Sequence, residues 1–359
     1  MTIMRKEINR DIQLDIYRGL SMMYVVCFIH VLYWFNIGKE PYISIVLVEM
    51  PIIFFISGAS ISLGNRNLGF LEYFKNRFKR VIIPYYIYAI VILLLIVLLS
   101  LFWNSLETWG ERILGHKFVD RYNFDITMYT LKDFINIFIG VNIFLSPYSW
   151  HLWFILPYMI ITCTFSFQSV VIKKINRWIY VTLCVLFFIL IRYITDNELI
   201  TNVFCYNIFF VIGYLFYKKV QIKEIIALYF FFVLSVYTLL LSGQSLTPMQ
   251  NHKFPPDLLF ICYNMGVLCL LSIVLKHFEL PNLKIFRLWN TRGYTIYLYQ
   301  NCVYFVVSVF YAGLIKKIQS DIVKCIICSF IIFLLSTLLS KYTFKLEKIA
   351  TNYLQLWRN

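Results

Sequence analysis

Runs of about 18 to 22 nearly uncharged residues recur along the whole chain, each long enough to cross ~30 Å of hydrocarbon at 1.5 Å of rise per helical residue. A soluble protein of 359 residues buries its core with far less than the 60% hydrophobic content seen here. Charged residues make up 14% of the chain, and the mean hydropathy is +0.73. The longest stretch between runs, residues 104–148, is itself half apolar, so no soluble domain separates from the rest. The chain reads as an all-α polytopic integral membrane protein of about ten transmembrane helices. They are expected over residues 15–37, 42–63, 81–103, 148–170, 178–194, 201–217, 224–242, 257–275, 293–314 and 321–340.

The formal charge of +15 is compatible with nucleic acid or with cytoplasmic membrane loops, and its distribution decides between them. With the N-terminus inside, 22 Lys and Arg residues fall on the cytoplasmic side and 9 on the outer side. The positive-inside rule therefore places both termini in the cytoplasm and makes membrane lipids, not nucleic acid, the partner of this charge. Arg5, Lys6 and Arg10 precede the first run with no small-residue cleavage site after it, so no removable signal peptide is expected. The nine cysteines all lie inside apolar runs without a metal-ligand pattern, which reads as small buried hydrophobes and no metal site. There is no internal repeat or glycine-rich linker. The expectation is one transmembrane domain over residues 1–359, carrying an extracytoplasmic, partly amphipathic loop over 104–147, in the inner or plasma membrane.

Ionisable groups inside a membrane are costly and face protein or a wet cavity, so they give the shortest route to function. Arg18 and His30 lie on the first helix and Glu49 on the second. Trp150 and His151 open the fourth, Arg192 ends the fifth, and Tyr294, Tyr297, Tyr299, Gln300 and Asn301 crowd the ninth. His30 and Glu49 each stand about seven residues from the outer end of their helix, ~10 Å deep. Matched depth on neighbouring helices suits a general base and its orienter, and equally a structural hydrogen bond that packs two helices. Arg18 lies near the cytoplasmic end, on the same side as Arg77, Lys79 and Arg80. Snorkelling to headgroups accounts for such cations. Yet Arg18 and His30 are ~18 Å apart along a helix, close to the reach of a pantetheine arm.

Five stretches in order resemble the membrane acyltransferase 3 family: "DIYRGLSMMYVVCFIH", "MPIIFFISGASISL", "FKNRFKRVIIPYY", "SWHLWFILPYM" and "GYTIYLYQN". The resemblance covers most of the chain. It implies an acyl-CoA donor, acetyl-CoA or another, on the cytoplasmic side, no bound cofactor, and transfer to a hydroxyl of a cell-surface or lipid-linked glycan. It maps the family's first-helix arginine to Arg18, its essential histidine to His30 and its basic loop to Arg77, Lys79 and Arg80. No appended SGNH-type esterase domain is expected.

Two departures shape the expectation. Eleven residues separate Arg18 from His30, one more than the family's usual spacing. A regular helix would then turn the pair ~120° apart, so a π-bulge is predicted between them. The family's late-helix histidine is replaced by Gln300, which hydrogen-bonds but cannot act as a base. The expected mechanism has His30, oriented by Glu49, deprotonating a sugar hydroxyl as it attacks a thioester. A covalent acyl-histidine is an alternative. Trp150, His151, Tyr297 and Gln300 are the candidates to hold the acceptor, and Gly58 with Ser57 is read as close helix packing. The rival functions are a polysaccharide or lipid-linked sugar transporter or flippase, and a non-catalytic sensor or scaffold. N-acetyl and succinyl transfer are variants within the enzyme reading.

Overall fold

The computed structural model describes residues 11–64, 70–102 and 150–356, with isolated positions between 105 and 132. The expected 104–147 loop lies almost wholly outside the described residues, as do Arg5, Lys6 and Arg10. Among the described residues there is no strand, and ten helices are long and apolar enough to cross a membrane. They are α1 (Ile12–Phe35), α2 (Tyr42–Gly64), α3 (Phe70–Ser100), α4 (His151–Ile172) and α5 (Arg177–Ile194). The others are α6 (Glu198–Phe216), α7 (Ile222–Leu241), α8 (Leu258–His277), α9 (Lys284–Gly313) and α10 (Asp321–Asn352). The chain is an all-α polytopic membrane protein, as its apolar runs require.

Three helices outrun their apolar cores. α3 starts at Phe70 and not at residue 81, α9 at Lys284 and not at 293, and α10 runs on to Asn352. The turns added to α3 are amphipathic. In "FLEYFKNRF", Phe70, Phe74 and Phe78 recur at helical spacing and their rings follow one another at 6.3 and 6.1 Å, while Glu72, Lys75 and Arg77 lie between. Apolar length measures the membrane crossing; helical period carries the helix beyond it.

Two helices contain π segments. Tyr24–Ile29 in α1 is π-helical, so the predicted bulge lies between Arg18 and His30. There the His30 N–H donates to the Val25 carbonyl, five residues back. The Val26 carbonyl, which an α ladder would give to His30, accepts the Tyr304 hydroxyl at 2.6 Å. A second π segment, Phe78–Ile82 in α3, precedes Pro84. Proline has no N–H for the Arg80 carbonyl and its ring crowds that carbonyl, so a wider turn relieves both faults.

The chain forms two compact units that interleave along the sequence. The first comprises Met1–Met22, Glu40–Gly69 and Phe165–Thr291. Within it α2 and α6 run parallel, because their contacts advance together from Phe54–Tyr206 through Gly58–Phe210 to Ser62–Lys219. Burial from lipid gives apolar side chains little hydrophobic gain, so close backbone approach must hold such a pair. Gly58 and Gly213 supply it. A Cβ on Gly58 would fall 1.9 Å from the Phe210 carbonyl oxygen, and one on Gly213 1.9 Å from that of Phe55. α7 packs on α8 through Ile225, Leu228, Phe232, Cys269 and Ile273, and most of α7 faces outward, as a lipid-covered helix does.

The second unit comprises Met23–Lys39, Phe70–Thr164 and Arg292–Asn359. Its centre is α9, which reaches the C-terminal half of α1 through polar contacts. Trp34 Nε1 donates to Ser308 Oγ at 3.2 Å, and the Tyr311 hydroxyl donates to the Phe35 carbonyl at 3.2 Å. On another face Thr295 donates to Glu347 of α10 at 2.7 Å. Interhelical hydrogen bonds of this kind are each worth about 0.6 kcal/mol in a membrane.

Candidate active site

The site is built in the second unit around α9. Its stretch "YLYQNCVY" sets Tyr297, Gln300, Asn301 and Tyr304 at steps of three and four, one face of a helix, and all four are buried. Opposite them stand His30, which follows the π segment of α1, and His151, in the 3-10 turn Trp150–Phe154 that opens α4.

The partners fix the histidine tautomers. His30 Nδ1 lies 2.9 Å from Gln300 Oε1. A carbonyl oxygen only accepts, so Nδ1 carries the proton and Nε2 is the basic nitrogen of the ring. His151 has the opposite tautomer. Asn301 Nδ2 donates to its Nδ1 at 2.9 Å, and its Nε2–H faces the Leu298 carbonyl at 3.3 Å. The Tyr297 ring lies beside both imidazoles, with centroids 5.8 Å from His30 and 5.1 Å from His151. Its hydroxyl donates to the His151 carbonyl at 2.6 Å. His30 thus carries its proton on Nδ1, while both ring nitrogens of His151 face α9.

From this centre an aromatic seam follows α4. Phe154 meets Tyr297 at 5.0 Å and Tyr158 at 6.5 Å, and the Tyr158 hydroxyl accepts from Arg77 at 3.0 Å. His151 and Tyr158 are seven residues apart, about 10 Å along the helix. Arg77 also donates to Tyr73 at 2.9 Å and lies over both tyrosine rings, at 5.1 and 5.8 Å. Among the described residues it has no acidic partner. This half-buried guanidinium is held by neutral hydroxyls and rings.

A family model described as an acyltransferase domain matches residues 11–341. The chain belongs to the acyltransferase 3 family. No curated protein and no solved structure matches it. It is thus a membrane acyltransferase, and the matched span contains both histidines, Gln300 and Arg77.

The other expected residues fall as follows. Glu49, expected to orient His30, lies in the first unit. It is 2% exposed and paired with Lys253, itself 5% exposed, in the first unit. The residue on His30 Nδ1 is Gln300. Matched depth supplied one coordinate of a helix and left its rotation open, and rotation chooses the partner. Arg18, also in the first unit, bonds Asp15 at 3.5 Å, Asn290 at 3.1 Å and Ser60. Lys79 is half-buried and Arg80 exposed, both in the α3 π segment. Trp150 contributes backbone to the turn before α4, and its side chain lies outside the described residues. Among the described residues no group of three or more His, Cys, Asp or Glu is placed to hold a metal. Phe154, Tyr158 and Lys253 were not legible as site or ion-pair residues. The spacing of His151, Phe154 and Tyr158 on one helical face was the available signal for the first two.

Proposed function

We propose that this acyltransferase moves an acetyl or similar short acyl group from cytoplasmic acyl-CoA to a hydroxyl of a cell-surface or lipid-linked polysaccharide, in the inner or plasma membrane. The observation that carries the reading is the His30 tautomer: a buried imidazole with Nδ1–H on Gln300 and Nε2 as its base. In this reading His30 takes the proton of the acceptor hydroxyl as its oxygen attacks the thioester carbonyl. The proton then goes to the departing thiolate. Arg77, Lys79 and Arg80 are the cations for the donor's phosphates, and Arg77 suits the task best because neutral groups hold it. The aromatic seam of Tyr158, Phe154 and Tyr297 suits the uncharged pantetheine arm and the face of a sugar.

The test compares cells expressing the wild type with cells expressing His30→Ala. The wild type is expected to add acyl mass to the surface glycan, read by mass spectrometry, and the variant to add none. Equal glycan masses in both would reject the reading. A transporter or flippase would instead leave purified protein without acyl-CoA-dependent thiol release.

A further inference from the structure

The turn "YKKV" that ends α6 gathers cations from three elements of the first unit. Arg177, the first residue of α5, donates to the Lys219 carbonyl at 3.3 Å. Lys276 of α8 donates to the Val220 carbonyl, and Lys219 Nζ to the Tyr214 carbonyl at 3.3 Å. Cations on the carbonyls of a helix C-terminus are ordinary capping, which accounts for their gathering. It does not account for their charge, because a helix end supplies only about half a negative charge. Asp11 answers Lys218 at 2.7 Å, and Glu224 is taken up by the Gln221 N–H at 2.9 Å. Arg177 and Lys219 have no acidic partner among the described residues. The two are near enough to act on each other: partial desolvation, and after it the Arg177 charge, hold Lys219 below the ordinary lysine range. Neutral groups fix both heads. The Arg177 guanidinium lies 5.3 Å from the Phe216 ring centre and 5.7 Å from that of Trp178, and the two rings are 4.5 Å apart. Lys219 Nζ also donates to Ser62 Oγ at 2.8 Å. Each cation keeps N–H groups that meet no partner among the described residues. Farther along α5, Ile179, Leu183, Leu186, Phe187 and Leu190 recur at helical spacing, and all are exposed.

We propose that Arg177 and Lys219 form a site for an anionic phospholipid, whose phosphate they hold and whose acyl chains cover the outward stripe of α5. The inference stands apart from the acyl-transfer reading. A phosphate accepts two parallel N–H bonds from a guanidinium and a further one from an ammonium, and its charge turns their mutual repulsion into attraction. Charge selects the headgroup. Phosphatidylcholine brings a cation of its own to the site, whereas phosphatidylglycerol brings only the negative charge that the pair lacks. The stripe selects a lipid over a soluble phosphate, because it continues from Arg177 and Trp178 along a helix that mostly faces outward. Diffuse attraction of loop cations to a membrane surface needs no such arrangement; a stacked guanidinium and a tethered ammonium beside an apolar stripe make a fixed place for one headgroup.

The experiment titrates the purified full chain in detergent with phosphatidylglycerol or with phosphatidylcholine and counts retained lipid by native mass spectrometry. The wild type is expected to hold its first phosphatidylglycerol about 30-fold more tightly than phosphatidylcholine, from about fivefold per cation at the surface. Arg177→Gln with Lys219→Gln should remove that preference. Lys174→Gln with Lys223→Gln takes two exposed cations from the neighbouring turns, before α5 and early in α7, and should leave the preference intact. Equal loss in the two double variants would show diffuse attraction and overturn the site. Equal retention of the two lipids by the wild type overturns it without any variant, so a misfolded variant does not protect the proposal. Glycerol phosphate, a headgroup without tails, is expected to leave the bound phosphatidylglycerol in place. Displacement by it at the lipid's own concentration would assign the cations to a soluble phosphate and overturn the lipid site.

Discussion

Glu49 and Lys253 form an ion pair where almost no solvent reaches it. Each ion alone would be expensive at that site, so the pair is marginal as a pair and severe when broken. Glu49→Gln is expected to destabilise the protein by about 3–5 kcal/mol, read as a lower thermal midpoint in detergent. A double variant, Glu49→Met with Lys253→Met, should recover most of that loss and retain acyl transfer. A stable but inactive double variant would support a catalytic part for Glu49. At this scale the sequence marked His30, His151, Tyr297 and Gln300 as buried polar residues worth attention, and the structure places all four in one centre. It did not pair them, because hydrogen-bond partners depend on helix rotation and on neighbours distant in the chain. His30 and Gln300 are 270 positions apart.

The element that matters most is the π segment of α1. A π-bulge is one extra residue taken into a helix, so it can be added or removed without changing what lies beyond it. Deleting Cys27 should let α1 close into a regular ladder while His30 keeps its place against Gln300. Acyl transfer, measured on the surface glycan, is expected to persist at a reduced level, since the Val26 carbonyl then loses the geometry that offers it to Tyr304. Inserting one alanine after Phe28 should abolish transfer by turning His30 about 100° off its face. Equal loss in both variants would show that the bulge itself, and not its count, is required. The bulge was legible only by comparing a spacing with a helical period. The second one, at Phe78–Ile82, had a local cause in Pro84.

For the molecule as a whole, Asp11 offers a measurable link between pH and stability. It caps the start of α1 through the Leu14 N–H at 3.2 Å, accepts from the Tyr217 hydroxyl at 3.1 Å and pairs with Lys218 at 2.7 Å. Burial alone pushes its carboxyl up, but the bonds from Lys218, Leu14 and Tyr217 and the Lys218 charge outweigh burial and hold it below the usual range. A carboxylate lowered in the folded state contributes stability above its unfolded value, about 4, and that stability is lost as pH falls through the folded value. The thermal midpoint of the wild type should therefore fall more steeply below about pH 4 than that of Asp11→Asn, which keeps a capping oxygen and has no charge to lose. Parallel curves would show that Asp11 does not carry the acid sensitivity. By itself the sequence determined the all-helical membrane architecture and the ten crossings, because apolar length against bilayer thickness is a property of each segment alone. It also determined the family, because the motifs stand in order along the chain. Only the tertiary structure decided that Gln300 holds His30, that Lys253 holds Glu49, and that Arg77 sits between two tyrosines. Those contacts depend on how packed helices are rotated, and hydropathy carries no information about rotation.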